Sequence, residues 1–396
     1  MLRADVAIVG AGAAGLSLAY LLSDPPPGRR RLSVLLIDAP PGPLRPPLRT
    51  WCFWEPGRGW YDDAVTASWQ NLRVHTRAGQ SLTSHIAPLR YKMIRSDDFE
   101  NLIAHSLQQS DNVQCIEATA EAVEGIAGGA LIHGRTADGQ PLNARARWVF
   151  DSRPLGSLPA GRTTLLQHFH GRFVESDQPI FDPGTAELMD FRTPQPAQGL
   201  SFGYVLPTSP THALVEYTEF SPQLLSRQAY EAVLSHYTRD VLGLPDLKVV
   251  STETGVIPMT DAPFTRQTAP SVFRIGAAAG ATRPSTGYTF AAIQRQIQTV
   301  ANALLSGRNP RPPAAHSARS RAMDAVMLRA LDSGRVGADF FSRLFTHVPM
   351  ERLLRFLDGR TCLHEDLAVG IRTPVLPMLR SAAELLYLPR RPFPRP

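Results

Sequence analysis

The segment Asp5–Gly15 is an apolar run followed by Gly10-x-Gly12-x-x-Gly15, and no other stretch limits the fold as strongly. Gly10 permits a tight turn out of a strand, and Gly12 lets a pyrophosphate approach the backbone. Gly15 lets the next helix pack closely on that strand. The spacing predicts a short strand, then a helix over Ala13–Leu22. A second apolar run, Ser33–Ile37, ends in Asp38, where a carboxylate can hold ribose hydroxyls. The helix N-terminus offers unpaired N–H groups and a positive dipole end to phosphates. Together these features predict a dinucleotide site formed by Gly10, Gly12, Ala14, Gly15 and Asp38. The motif's place at the start of the chain favours FAD as a prosthetic group over NAD(H).

The 396 residues are 43% hydrophobic, enough for two or three subdomains. Mean hydropathy is −0.13, and no apolar run approaches the roughly 20 residues that a spanning helix needs. Asp5 and the glycines interrupt the first apolar stretch, which reads as strand and helix rather than a signal peptide. Cys52, Cys115 and Cys362 are widely spaced. They predict neither a disulfide framework nor a zinc site and fit a reducing cytoplasm. The net charge is +6, with local clusters at Arg29–Arg31 and at Arg390, Arg391 and Arg395. No nucleic-acid-binding motif accompanies the charge. Attraction to anionic lipid suits it better, at about 1 kcal/mol per basic residue near the surface, and a merely basic soluble protein is the equal alternative.

A proline-rich loop to Leu48 leads into the aromatic cluster Arg49-Thr50-Trp51-Cys52-Phe53-Trp54. Phe99, Leu102, Ile103 and Leu107 predict a helix over Ser96–Gln109, capped by Asp97 with Glu100 in the capping-box position. Strands are expected at Asn112–Ala118, Glu121–Gly125, Ala130–Thr136 and Trp148–Asp151. Alternation predicts further strands at Leu166–Val174, Leu200–Leu206 and Ala213–Phe220. A helix is expected over Pro222–Val241, a strand over Ser271–Gly276, a helix over Tyr288–Leu305, then mostly helix to about Leu388. A discontinuous FAD-binding domain is thus expected from residues 1–50, 95–155 and 270–305. Residues 51–94 and 156–269 should form a substrate-binding sheet domain, and 306–396 a helical C-terminal region. The fold class is α/β: a glutathione-reductase-like, aromatic-hydroxylase-like Rossmann domain interleaved with a mixed or antiparallel sheet.

A second glycine-rich segment runs from Gly276 through Gly280 to Pro284-Ser285-Thr286-Gly287-Tyr288. Small residues ahead of a helix suit close backbone approach to an isoalloxazine ring. Gly276, Gly280, Pro284 and Gly287 therefore join the cofactor residues. In flavin hydroxylases the comparable strand ends in Gly-Asp. Here the second position is Ala277, which argues against hydroxylation.

Over nearly its whole length the chain resembles the lycopene cyclase family of flavoprotein carotenoid cyclases. Arg49–Trp54 is similar to the family's segment after the first acidic strand, and Val149–Pro154 to its Asp-x-Arg return strand. Pro284–Tyr288 is similar to its flavin-proximal loop, and Phe340–Asp366 to its helical C-terminal region. Leu214-Val215-Glu216-Tyr217-Thr218 resembles the acidic motif in which the residue matching Glu216 is needed for cyclisation. A second acid often follows in that family; here the position is Tyr217. The resemblance implies closure of the linear ends of lycopene, or a related linear carotenoid, to β-rings. It also implies reduced FAD, no net redox change, and NAD(P)H as the electron source.

On a strand, Leu214, Glu216, Thr218 and Phe220 share one face, and Val215, Tyr217 and Glu219 the other. Apolar neighbours could keep Glu216 protonated, while Glu219 is expected to be solvated. Trp51, Phe53, Trp54 and Tyr204 are candidate substrate-binding aromatics, each worth about 0.5–2 kcal/mol toward a cation. A bilayer-dissolved substrate implies a peripheral position at the cytoplasmic membrane. The amphipathic stripe Phe340, Phe341, Leu344, Phe345, Leu353, Leu354, Phe356 and Leu357 has core packing as its usual reading and membrane contact as the alternative, which rests mainly on the substrate. His168 and His170 share a strand face without further ligands, and His364-Glu365-Asp366 reads as a solvated helix segment, so no metal site is expected. The competing readings are a flavin-dependent redox enzyme (hydroxylase, halogenase or prenyl-chain reductase) and a non-catalytic carotenoid-binding flavoprotein.

Overall fold

The computed structural model describes residues 1–244 and 246–393; Arg395 of the C-terminal basic cluster lies outside them. The first apolar run forms β1 (Leu2–Val9), and the glycine turn carries it into α1 (Ala13–Ser23). β1 lies between β2 (Val34–Asp38) and β10 (Pro141–Asp151), parallel to both. β8 (Val113–Ile126) lies parallel to β2, and β17 (Val272–Arg274) parallel to β10. β9 (Gly129–Thr136) runs antiparallel between β8 and β10, and β16 (Gln267–Ala269) closes the other edge. α1, α2 (Ser96–Gln108) and α4 (Phe290–Leu305) cover one face, where Leu18, Phe99 and Ile297 meet Val6 and Ile8. The β9 layer covers the other face, with Ile132 and Leu142 against Val9 and Ile37. Burial on both faces explains why β1 and β2 read as continuous apolar runs.

The second sheet has the order β15 (Lys248–Thr260), β11 (Thr164–Glu175), β14 (His212–Ser221), β13 (Leu200–Pro207), β12 (Thr185–Asp190), β5 (Asn71–His75) and β6 (Ser81–His85). It is antiparallel except between β12 and β5. α3 (Arg227–His236) packs Tyr230 and Leu234 on one face, against Val215 and Tyr217. The other face lies under the C-terminal helices α5 (Ala318–Asp332), α6 (Ala338–His347) and α7 (Met350–Leu357). α8 (Leu363–Gly370) and α9 (Val375–Leu385) follow. The expected interleaved α/β plan is therefore the one observed.

Between the two large sheets stands a small one of β3 (Thr50–Pro56), β7 (Leu89–Arg95) and β4 (Val65–Trp69). Alternation along β3 divides its side chains between two cores. Phe53 and Trp51 pack with the helices on the first sheet, and Trp54 and Cys52 with the second sheet. Trp51 stacks on Phe290 at 5.4 Å, whereas Trp54 meets Tyr288 edge-on at 4.7 Å.

Several local expectations are corrected. Asp97 does not cap α2: the helix starts at Ser96, whose N–H donates to the Arg49 carbonyl at 2.8 Å and whose hydroxyl accepts from the Arg49 N–H. A neighbouring segment thus satisfies the helix start. Residues 222–226 are not helical, because Ser226 caps α3 through Ala229, and the helix ends in a π turn at Tyr237–Val241. β8 passes unbroken through Glu121. The stripe from Phe340 to Leu357 is mainly core: Phe341, Leu344, Phe345, Leu353 and Leu354 are all buried on the second sheet. Of the two readings of the stripe, core packing is the one the buried residues take.

A buried ion pair ties the loop before α4 to this helical roof. Arg283 donates to Asp324 on α5 at 3.1 Å and to the Phe356 carbonyl on α7. Ser285 donates to the same Asp324 oxygen at 2.6 Å. Both charged side chains are 2% exposed, so removing one strands the other in a low dielectric. Arg283→Ala should therefore destabilise the fold by about 3–5 kcal/mol, measured by urea denaturation.

Candidate active site

Of the cofactor candidates, Gly10, Gly12, Ala14, Gly15 and Asp38 meet at the N-terminus of α1, and Gly276 packs against Ala14 there. Gly10 has φ +94°, which favours glycine, and a Cβ on Gly15 would lie 1.9 Å from the Gly10 carbonyl oxygen. Gly12 by contrast faces open space, as a backbone that must admit a ligand requires. The first turn of α1 carries no acid, and its N-cap has no side-chain bond. Asp38 accepts from the Ala11 N–H at 2.9 Å and lies 3.2 Å from Arg45 Nε. Gly276, at φ +67°, sets its turn against Ala14, where a Cβ would lie 2.8 Å from the Ala14 Cβ. Gly280 abuts Phe264, and Gly287 abuts Gln167 of β11. Pro284 is buried between them.

The residues fit a dinucleotide with a polar ring system. Arg49 Nε, Gln167 Oε1, Thr286 Oγ1 and Tyr288 Oη are buried without a well-formed hydrogen bond to protein. Such atoms carry a desolvation penalty unless a ligand or water meets them. Burial lowers the pKa of the Arg49 guanidinium, against the opposing charges of Glu100, Glu253 and Asp38.

Glu216 shares its face of the second sheet with Leu214 and Phe220, which pack with Cys52 and Trp54 of β3 and with the C-terminal helices. Register places Tyr204, Glu216, Gly171 and Glu253 in one row across β13, β14, β11 and β15. Directly paired residues point to the same face. Glu216 is half-buried, and its Oε1 accepts from the Thr218 hydroxyl at 2.8 Å. Burial first, then the charge of Glu253, pushes its pKa up to about 8, with Thr218 opposing. Burial likewise raises the Cys52 thiol and the Tyr91, Tyr204 and Tyr288 hydroxyls, which neighbour one another beside it. A narrow apolar pocket continues from Tyr204 between Leu200, Phe220, Phe341 and Phe345, with Ser285 and Thr286 of the α4 loop at its wall.

The structure brings Tyr204 and Trp54 to this side, but it puts Trp51 and Phe53 on the opposite face of β3. Glu253, Gly171, Tyr91 and Tyr288 were not singled out as site residues from sequence. Glu253 sits in an alternating strand, but only the pairing of β15 with β11 brings it level with Glu216. Glu219 is buried rather than solvated, because α3 covers its face of the sheet. It accepts from Tyr217 at 2.7 Å and lies 3.7 Å from His168, whose ring bonds Tyr230 at 2.6 Å. Asp366 is also buried, paired with Arg319 at 3.1 Å.

A sequence profile of the lycopene cyclase proteins matches residues 5–383, and the chain belongs to the lycopene cyclase family. It is 29% identical over 297 residues to a lycopene beta-cyclase of Pseudescherichia vulneris, covering 72% of this chain and 70% of that relative. The fold is similar to that of a geranylgeranyl bacteriochlorophyll reductase-like protein of Thermoplasma acidophilum. The TM-score there is 0.62 at 14% identity, covering 98% of this chain and 100% of the other. Aklavinone-11 hydroxylase, solved in complex with FAD and aklavinone, has a TM-score of 0.55 at 20% identity, covering 77% of this chain and 62% of its own. Likeness at these identities concerns the fold.

Glu216 also has a consequence for stability. Its pKa is raised in the folded chain, so between about pH 4.5 and 8 the unfolded chain loses a proton that the folded one keeps. The contribution of Glu216 to stability therefore falls across that window. Glu216→Gln, which does not titrate, should show a thermal midpoint advantage that is absent near pH 4.5, grows to pH 8 and then levels off.

Proposed function

We propose that this member of the lycopene cyclase family closes β-rings on the linear ends of lycopene or a closely related carotenoid. The observation that carries the reading is a half-buried carboxyl group with one hydroxyl donor and no cationic partner, in register with Tyr204 at the wall of an apolar pocket; burial and the charge of Glu253 push its pKa up to about 8, which favours the protonated form at neutral pH. Gly10, Gly12, Ala14, Gly15, Asp38, Gly276, Gly280, Pro284 and Gly287 would hold FAD. The cradle geometry and the orphaned polar atoms support that assignment. In its reduced form, with electrons from NAD(P)H, FAD would supply negative charge beside a cationic substrate.

The chain's own contribution is proton transfer and exclusion of water. A proton from Glu216 adds at C2 of the terminal alkene and leaves a tertiary cation at C1. The C5=C6 bond attacks C1, the cation moves to C5, and loss of the C6 proton completes the ring. A carboxylate left on Glu216 is a suitable base for that last step. The rings of Tyr204, Trp54 and Tyr288 offer π faces near the cation at about 0.5–2 kcal/mol each. Apolar walls keep water from capturing it.

Docking on an anionic membrane surface belongs to the same proposal. Its support lies in α8 and α9. Leu363, Leu367, Ile371, Val375, Leu376 and Leu379 are each at least half exposed. Arg360, Arg372 and Arg380 are exposed nearby, while Glu365 and Glu384 are paired with arginines. Contiguous apolar side chains with basic neighbours suit the headgroup boundary of anionic lipid.

Expressed in lycopene-accumulating bacteria, the wild type should yield β- or γ-carotene, and Glu216→Gln should leave about 99% or more of that cyclisation undone. Unchanged lycopene from the wild type would indicate a carrier. NAD(P)H oxidation in step with substrate turnover would indicate a redox enzyme. The protein should also co-sediment with phosphatidylglycerol vesicles, and Leu367→Glu with Ile371→Glu should abolish this. A wild type that stays in the supernatant would remove the docking face.

A further inference from the structure

Glu216 has a second carboxyl group two strands away. Gly171 of β11 pairs with Glu216 of β14 on one side and with Glu253 of β15 on the other. Neighbouring strands lie about 4.8 Å apart, so the two glutamate backbones are about 10 Å apart, with both side chains on one face. Glycine between them leaves the gap open. A Cβ on Gly171 would lie 3.4 Å from Glu216 Oε2 and 2.9 Å from Leu214 Cδ1. Any side chain there would stand between the two carboxyl groups.

Their surroundings differ. Glu253 is 6% exposed, and both its oxygens accept: Oε1 from the Thr50 N–H at 2.8 Å and Oε2 from the Thr50 hydroxyl at 2.6 Å. Two donors on two oxygens suit an ionised carboxylate. Burial raises the pKa of Glu253, and the two Thr50 donors, then Arg95 and Arg49, oppose that rise. Glu216 has one hydroxyl donor, Thr218 of its own strand, and no arginine or lysine among the groups that set its titration. The other groups near it are Tyr204 on β13, Cys52 on β3, Tyr91 on β7 and Tyr288 before α4, all neutral at pH 7.

We infer that Glu253 is a positioning residue for Glu216: an ionised carboxylate, fixed by Thr50, that biases the shared environment so the proton resides on Glu216. Like charges that cannot both ionise cheaply are a general way to drive the titrations of a carboxyl pair apart. The inference rests on the reading of Glu216 as the acid of ring closure, but its test does not need turnover.

Infrared titration of the flavin-loaded, substrate-free protein follows the protonated carboxyl band. At pH 7 that band should be present in the wild type and absent in Glu216→Gln. Its midpoint should lie near pH 8 in the wild type, about one pH unit lower in Glu253→Gln, and within a few tenths of wild type in Glu253→Asp, which keeps the charge. The alkaline limb of cyclisation should move with it. An unmoved midpoint in Glu253→Gln overturns the inference. If that variant does not fold, a band that survives in Glu216→Gln overturns it equally. Midpoints that shift as stated without any cyclisation would instead sink the ring-closing reading and leave the pair standing.

Discussion

Strand β3 has to serve two hydrophobic cores at once, and much of the site's geometry follows from that. Trp51 and Phe53 anchor it to α2 and α4 on the first sheet, while Cys52 and Trp54 anchor it to the second sheet. A slip of one residue would exchange the two sets. Thr50, at the head of the strand, adds a polar tie by donating twice to Glu253. The glycine cradle and the row containing Glu216 are thus referred to one short segment. Its register sets how the two halves of the site face each other.

The polar groups buried around this junction are mostly matched. Lys92, 1% exposed at the centre of the small sheet, donates to Glu55, Asp62 and the Gly57 carbonyl. Arg283 is neutralised by Asp324. Glu216 stands apart because it has a hydroxyl donor but no cation. Physically, a half-buried carboxyl without a cation resolves its position by keeping its proton. The same local poverty of partners that should weaken the fold at neutral pH supports the proposal that the residue gives a proton away.

Local patterns are legible in the sequence where the physics is local. The glycine turn, the acid ending β2, the alternation of β14 and the helical C-terminal region all depend on neighbours in sequence. Expectations fail where a distant segment decides the outcome. Alternation puts Glu219 opposite Glu216, but only α3 makes that opposite face a buried one. Spacing makes the stripe from Phe340 to Leu357 amphipathic, but does not say whether lipid or a sheet will cover it. Asp97 has the right spacing for a cap, yet Arg49 takes the position from another segment of the chain.

The interleaved α/β plan, the family and the expectation of a dinucleotide site were all legible in the chain before folding. Each is carried by short motifs in which glycine, an acid or an apolar period has one economical structural use. Tertiary structure decided the company that Glu216 keeps. Glu253, Gly171, Tyr91 and Tyr288 come from four separate segments, and no periodicity relates them. Strand pairing and the two-sided packing of β3 bring them together, and both are set by long-range burial rather than by the local chain.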